Sequence, residues 1–219
     1  MKYNSKASVI KKLLIIIIVA AILCLCGCET DNVQEYDEKP VIYLYPESET
    51  EVTLQLGKPQ NITCSYPLYN LGWNVKANEN GDLLDLQTGR ELYCLYYECK
   101  SDVDFQLEDE GFVVKGNDIT KFLEEKLEIL GLNETEAEEF IIYWLPVLQK
   151  NKYNYIRFAS SDEINEVMPL SVSPKPDSVI RVLMTYKALQ EPVNVKPQQL
   201  EAPDREGFAV VEWGAAEIK

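Results

Sequence analysis

Two glutamates on predicted strands are the candidates for acid–base chemistry in this sequence. Glu98 lies in a tyrosine-rich run, and Glu212 directly precedes Trp213. Aromatic surroundings raise the pKa of a carboxyl group. Two facing carboxyl groups can cleave a glycosidic bond, at a separation of about 5 Å for retention or about 6.5–9.5 Å for inversion. The alternative is that each glutamate faces solvent or pairs with an arginine.

Basic and aromatic residues offer a second kind of chemistry, which is binding without catalysis. Arg181 and Arg205 lie close in sequence to Asp177 and Glu206, and they predict either an anion site or internal salt bridges. The thirteen tyrosines and three tryptophans predict either a sugar-binding surface, because flat rings pack on sugar faces, or an aromatic core. The candidate ligand-binding residues are Trp73, Tyr96, Arg181 and Trp213.

The sequence contains no histidine, which limits the kinds of catalysis that the protein could perform. Ser-His-Asp catalysis, Cys-His catalysis and the zinc motif HExxH all require that side chain. A calcium loop beginning at Asp102 is rejected, because Leu107 stands where a glycine is needed. We expect no metal site and no cofactor, and a binding protein is favoured over an enzyme.

Cys28 has the most specific predicted chemistry in the chain. Leu25-Cys26-Gly27-Cys28 matches a lipobox, in which the Cys28 thiol accepts a diacylglycerol and a peptidase cuts after Gly27. Four lysines before residue 13 and the apolar run 13–25 supply the other parts of an export signal. The alternative is an uncleaved signal anchor, which needs about 20 apolar residues, and this run loses its apolar character by Gly27.

The charge distribution and the lipobox together predict the organisation of the chain. Residues 1–27 are expected to be a lipoprotein signal peptide, residues 28–39 a lipidated flexible tether, and residues 40–219 a single domain. All four charged residues before Cys28 are lysines, so the remaining chain has 17 basic residues, 36 acidic residues and a formal net charge of −19. This charge excludes nucleic acid as a partner. It leaves the acyl chains to hold the protein at the extracytoplasmic face of the cell membrane.

Three cysteines follow Cys28, in a compartment that permits disulfides. Cys94 and Cys99 are five residues apart on one predicted strand, so their side chains should point to opposite faces and should not bridge each other. A disulfide of Cys64 with either Cys94 or Cys99 remains open.

Alternating apolar residues and turn signals predict ten strands and one long loop. The loop covers residues 191–205, which contain three prolines. The strands are expected at residues 41–45, 51–56, 61–66, 72–76, 83–86, 91–99, 153–159, 169–173, 178–188 and 207–213.

Residues 117–149 show the helical period and predict an α-helical hairpin. Asn117 or Asp118 is expected to cap the first helix, and Gly131 to end it in a Schellman turn. Asn133 and Glu136 have the spacing of a capping box for the second helix, which Pro146 should kink near its end. The predicted fold class is α+β, with an antiparallel or mixed β-sheet and the helical hairpin inserted on one side.

Five segments occur in a fixed order: KPVIYLYPESETEV at 39–52, TGRELYCLYYE at 88–98, the pair FLEEKLEILGL at 122–132 and EAEEFIIYWLP at 136–146, SPKPDSVIRVLM at 173–184 and REGFAVVEWG at 205–214. Together they resemble a family of bacterial exported and lipid-anchored proteins that has no established activity. Members of that family tend to read FWEG where this chain has YYEC, and EWGG where it has EWGA. The resemblance implies export and lipid anchoring, and it implies no reaction.

The leading functional hypothesis is a lipid-anchored extracytoplasmic domain that binds an envelope glycan or another envelope protein. The lipobox, the acidic domain and the aromatic strands all favour it. The alternatives are a histidine-free hydrolase that acts through Glu98 and Glu212, and a purely structural envelope protein.

Overall fold

The computed structural model describes residues 39–201 and 203–219, which form two β-sheets and three α-helices. The helices α1, α2 and α3 span Ile119–Ile129, Glu134–Leu148 and Ser161–Val167. The strands β1 to β13 span Val41–Tyr45, Thr50–Leu56, Ile62–Tyr66, Trp73–Ala77, Leu83–Asp85, Glu91–Leu92, Leu95–Cys99, Glu110–Lys115, Tyr153–Phe158, Leu170–Ser173, Ser178–Leu189, Lys196–Pro197 and Ala209–Glu217.

The strands form a large sheet and a small sheet. The large sheet has eight strands in the order β12-β8-β9-β11-β13-β1-β7-β3, and the small sheet has five in the order β10-β2-β4-β5-β6. The large sheet is mixed, because β11 pairs with β13 and β8 with β12 in parallel while its other pairs are antiparallel. The predicted α+β class is confirmed, although the single sheet expected from the sequence is two sheets.

The large sheet buries both of its faces. Alternation along β1 sends Ile42 and Leu44 toward the small sheet, while Val41 and Tyr43 point to the opposite side. We call these sides the inter-sheet face and the helix face, because α1 and α2 cover the second. The described residues thus form three layers: the small sheet, the large sheet and the helical hairpin.

The helical hairpin lies where its period predicts. Ile119, Leu123 and Leu127 are buried on one side of α1. The amide of Leu132 donates to the carbonyl of Leu127 at 3.1 Å and that of Gly131 to Glu128 at 3.0 Å, which confirms the Schellman turn. Gly131 has a φ of +86°, a left-handed conformation that favours glycine.

The two helix starts differ in how well the sequence predicts them. The capping box of α2 is confirmed, with bonds between Asn133 and Glu136 in both directions at 2.8 and 2.9 Å. The side-chain cap expected for α1 is wrong, since the 3₁₀ turn Gly116–Asp118 leads directly into that helix and makes no such bond. Helix α2 continues through Pro146 to Leu148.

The structure also contains elements that the sequence interpretation missed. Helix α3 is one of them, although Ser160 and Glu163 form a capping box whose spacing is readable in the sequence. Strand β8 is another. The predicted strand 91–99 divides into β6 in the small sheet and β7 in the large sheet. Among the described residues, no helix is long and apolar enough to cross a membrane.

Candidate binding groove

A groove of about 710 Å³ lies between α2 and the segment that runs from β6 into β7. Its volume falls in the range of small-molecule sites, about 300–1,000 Å³. We call it the tyrosine groove, because four of its lining residues are tyrosines. The described lining residues are Val41, Tyr66, Glu91, Leu92, Tyr93, Cys94, Tyr96, Glu139, Ile142, Tyr143 and Trp213.

The tyrosines come together on the helix face from strands β3 and β7, the link between β6 and β7, and helix α2. Tyr66 of β3 lies opposite Tyr96 of β7 in the strand register, so both rings point to the same side of the sheet. Tyr93 lies between β6 and β7, and Tyr143 projects from α2. Tyr93 is 60% exposed and Tyr66 is 51% exposed. With the exposed Ile142, these rings give the groove apolar surface that solvent reaches.

Glu139 of α2 is held at the wall of the groove by a hydrogen-bonded chain. The Tyr43 hydroxyl donates to Glu139 Oε2, and Trp213 Nε1 donates to the Tyr43 hydroxyl at 3.2 Å. Burial raises the pKa of Tyr43, and the bond to Glu139 and the charge of that residue raise it further. Tyr43 therefore stays a neutral donor and orients the carboxylate of Glu139.

The Cys94 thiol at the groove is protonated at neutral pH. Burial raises its pKa from 9.0 to about 11, and the nearby negative charge of Glu139 adds to the effect. A thiol with so high a pKa is a poor nucleophile. Cys94 contributes a small apolar surface to the groove rather than a reactive group.

One lysine of the chain contacts the rim of the tyrosine groove. Lys39 Nζ lies 4.2 Å from the centroid of the Tyr143 ring, which is a cation–π contact. The same ammonium lies 3.9 Å from Glu98 Oε1, and Glu98 also accepts a hydrogen bond from the Tyr96 hydroxyl. The predicted site residues Glu98 and Tyr96 are thus neighbours at this rim, on the helix face.

The two glutamates of the hydrolase hypothesis do not face each other. Glu212 pairs with Ile42 in the register of β13 and β1, and it points to the inter-sheet face. Glu98 lies one residue from Tyr97, whose ring is on that same inter-sheet face, so alternation places Glu98 on the opposite side. The large sheet separates the two carboxyl groups, which cannot flank a single glycosidic bond.

Glu212 belongs instead to a buried ion pair with Arg181. Arg181 Nε donates to Glu212 Oε2, and the Tyr97 hydroxyl donates to Glu212 Oε1 at 2.7 Å. The guanidinium also donates to the Asn165 side chain at 2.8 Å and to the Met168 carbonyl at 2.9 Å. The Arg181 and Glu212 side chains are 7% and 4% exposed. This cluster joins α3 to the large sheet, and because Arg181 is already paired with a buried carboxylate it is not offered to an anionic ligand.

Arg205 also forms an internal ion pair, but with a residue distant in sequence. Its guanidinium donates to both carboxylate oxygens of Glu136 at 2.9 and 2.8 Å and lies 4.9 Å from the centroid of the Tyr45 ring. Glu136 is completely buried at the start of α2. The arrangement ties the proline-rich segment before β13 to the helical hairpin.

The two candidate tryptophans are buried. Trp73 is 2% exposed, packs edge-on against Tyr69 and donates from Nε1 to the Pro67 carbonyl at 2.8 Å. Trp213 is 4% exposed and packs edge-on against Phe140 under the tyrosine groove. Trp73 is a core residue, and Trp213 supports the groove from below.

The sequence interpretation missed Tyr66, Glu91, Glu139, Ile142 and Tyr143 as groove residues. One signal was available for α2. Ile142 and Tyr143 are apolar but lie off the helical stripe that buries Phe140, Trp144 and Leu148, so they had to face something other than the core.

Cys64, Cys94 and Cys99 form no disulfide in the part of the chain that the structure describes. Cys64 lies opposite Glu98 in the register of β3 and β7, and it is exposed. The disulfide of Cys64 with Cys94 or Cys99, which the sequence left open, is absent from the described residues. Cys28, the predicted lipidation site, lies outside the described residues. Within residues 39–201 and 203–219, no cluster of three or more cysteines and acids is arranged to hold a metal ion.

Comparison with known proteins yields one short similarity. The chain is 39% identical over 61 residues to a protein of Butyrivibrio fibrisolvens named "Uncharacterized protein in bglA 3'region". The match covers 26% of this chain and 64% of that protein, which is less than two thirds of the relative's own length. No protein-family profile and no solved structure matches the chain.

Proposed function

We propose that this chain is a membrane-anchored bacterial lipoprotein with an extracytoplasmic binding domain, and that the tyrosine groove is its binding site. The lipobox Leu25-Cys26-Gly27-Cys28 and the export signal before it support the anchor. The groove supports the binding role. The candidate ligands are an envelope glycan and another envelope protein.

The exposure of three tyrosines, Tyr66, Tyr93 and Tyr143, in one groove is the observation that carries the binding proposal. Aromatic rings gain more than most side chains from leaving water, yet Tyr93 and Tyr66 remain 60% and 51% exposed. Tyrosine is also enriched at protein interfaces, where it offers an apolar ring and a polar hydroxyl. A ligand that covers these rings accounts for an arrangement that the core does not require.

The hydrolase alternative loses its proposed pair of catalytic acids. Glycosidic cleavage needs two carboxyl groups on the two sides of one bond. Glu98 and Glu212 lie on opposite faces of the large sheet, and Glu212 already pairs with Arg181. This geometry argues against hydrolysis by Glu98 and Glu212, and it therefore favours the binding role.

A thermal-shift experiment tests the binding site. The full chain in an uncharged detergent would be heated with peptidoglycan fragments, neutral oligosaccharides and short peptides as separate probe classes. We expect at least one class to raise the melting temperature, since a ligand at 100 times its dissociation constant adds about 2.7 kcal/mol. The double variant Tyr66→Ala/Tyr93→Ala should lose that shift.

Tyr153→Ala is the matched control, because Tyr153 is a partly exposed tyrosine that does not line the groove. It should keep the shift. A shift that survives in the double variant, or no shift with any probe class, would refute the tyrosine groove as a binding site and favour a structural role.

Lipidation is tested separately, on the full chain expressed in a bacterium. Mass spectrometry should find a diacylglycerol on Cys28 and a new amino terminus at that residue, and the protein should sediment with membranes. Cys28→Ala should abolish the diacylglycerol and the new amino terminus, whereas Cys26→Ala should leave both of these intact. An unmodified Cys28 in a membrane-bound wild-type protein would support the signal-anchor alternative.

A further inference from the structure

The charge of the tyrosine groove defines the chemistry of its ligand. Of the eleven described residues that line it, Glu91 and Glu139 are acidic and none is a lysine or an arginine. Glu91 is exposed, and Glu139 is oriented by the Tyr43 hydroxyl. An anionic ligand would be repelled at this site, and a neutral one would leave both carboxylates without a counter-charge.

Aromatic rings beside carboxylates are a favourable environment for an organic ammonium ion. The ring faces attract the cation through their quadrupole, and the carboxylates add a direct ionic attraction. The chain itself contains an example at the rim, where Lys39 Nζ lies 4.2 Å from the Tyr143 ring centroid. The same ammonium lies 3.9 Å from Glu98, so Lys39 shares its charge with an acid that does not line the groove.

The two occupants that the chain itself could supply are disfavoured by charge. The ten residues 29–38 before Lys39 contain five acids and no base, so this segment would be repelled by Glu91 and Glu139. A second copy of the chain is strongly acidic as well, since 36 acids oppose 17 bases after residue 27. A positively charged partner with a different sequence would neutralise the carboxylates of Glu91 and Glu139.

We propose that the tyrosine groove binds lysine side chains of a basic segment in another protein, with the ammonium held between the tyrosine rings and the carboxylates of Glu91 and Glu139. This inference rests on the proposed function and specifies the partner of the same site. The exposed rings of Tyr66 and Tyr93 cover the methylene stem of the lysine, while Glu139 takes its charge.

Calorimetric titration of the full chain with pentalysine tests the inference, in an uncharged detergent and at about 0.15 M salt, where unspecific long-range attraction is screened. Pentalysine should bind. Pentalysine acetylated on every ε-amine should bind at least about tenfold more weakly, because it keeps the backbone and stem but loses the cation. Glu91→Gln/Glu139→Gln should weaken pentalysine binding by a similar factor, and the glutamine at 139 still accepts from Tyr43.

The double variant Glu124→Gln/Glu128→Gln is the charge-matched control, since both acids are exposed on α1 and neither lines the groove. It should bind pentalysine like the wild type. Equal weakening in both double variants would show unspecific attraction and would overturn the inference.

Two further outcomes separate this inference from the proposed function. Equal binding of acetylated and free pentalysine, lost in Tyr66→Ala/Tyr93→Ala, would overturn the cation inference and keep the groove as a binding site. Absence of pentalysine binding would overturn the inference as well, and the thermal-shift series would then decide by itself whether the groove binds another class.

Discussion

Arg181 of β11 and Glu212 of β13 are direct neighbours in the parallel register of the large sheet, and their side chains form an ion pair between the two sheets. Two charges at this depth are costly to remove from water, and the bonds to Tyr97, Asn165 and Met168 offset that cost. This ion pair gives Glu212, a strand glutamate beside aromatic residues, a structural role rather than a catalytic one.

Removing one partner of this pair should be strongly destabilising. Arg181→Met leaves the Glu212 carboxylate buried without its counter-charge, and we expect a loss of about 3–5 kcal/mol in the free energy of unfolding. The double variant Arg181→Met/Glu212→Leu should recover most of that loss, because it removes both charges. Urea denaturation of the wild type and these two variants measures the difference.

The surface pair of Lys152 and Glu191 is the control for that experiment, since their side chains are 54% and 78% exposed. Lys152→Met should change stability by no more than about 1 kcal/mol. If Arg181→Met behaves like the surface variant, then the ion pair does not stabilise the fold.

The pair of Arg205 with Glu136 should contribute stability of its own. Arg205→Met leaves the completely buried carboxylate of Glu136 without its counter-charge, held by the capping bond to Asn133 and a hydrogen bond with the Tyr45 side chain, and we expect a cost of about 3 kcal/mol. Asn133→Ala removes one cap acceptor but leaves the ion pair, and it should cost about 1 kcal/mol. Thermal or urea unfolding ranks the two variants, and a larger loss for Asn133→Ala would contradict the prediction.

Alkylation by iodoacetamide should distinguish Cys94 from Cys64. With its pKa raised from 9.0 to about 11, Cys94 contains about a hundredfold less thiolate at pH 8 than an unperturbed thiol, so it should react slowly. Glu139→Gln removes a negative neighbour, which lowers the pKa of Cys94 and should speed its alkylation. Peptide mass spectrometry over time measures both rates.

Cys64 is the internal control in that experiment, because it is exposed and should react at the same rate in both proteins. If Cys94 is alkylated at the same rate in Glu139→Gln as in the wild type, then access of the reagent alone limits the reaction.

The raised pKa of Cys94 also affects the stability of the protein. The folded state holds this proton more tightly than the unfolded state, so the contribution to stability is complete below pH 9 and is lost as the pH rises through about 11.

Gly131 should tolerate alanine poorly, for two separable reasons. Its φ of +86° costs an alanine about 1 kcal/mol, and an added Cβ would lie 3.0 Å from Pro203. Gly89 has a φ of +70° with open space around it, so Gly89→Ala should show the backbone cost alone. Gly131→Ala should therefore be the more destabilising of the two in urea denaturation. Equal losses in the free energy of unfolding would show that Pro203 moves away from the added Cβ at no cost.

The sequence alone determined the features that depend on neighbours along the chain. The helical hairpin, the Schellman turn at Gly131 and the capping box of Asn133 and Glu136 are all readable within one or two helical turns, because their hydrogen bonds join residues three to five positions apart. The α+β class follows from the same local periods. The lipobox at Cys28 is equally local and remains a prediction.

Only the tertiary structure decided which distant residues meet. Alternation shows that Glu98 and Tyr97 point to opposite sides, but strand pairing decides that Tyr97 and Glu212 share the inter-sheet face and that Glu98 lies at the rim of the tyrosine groove. Glu139 meets the segment around Tyr93 only because α2 packs on the helix face. Such contacts join positions tens of residues apart, and burial in the assembled layers, rather than local propensity, determines them.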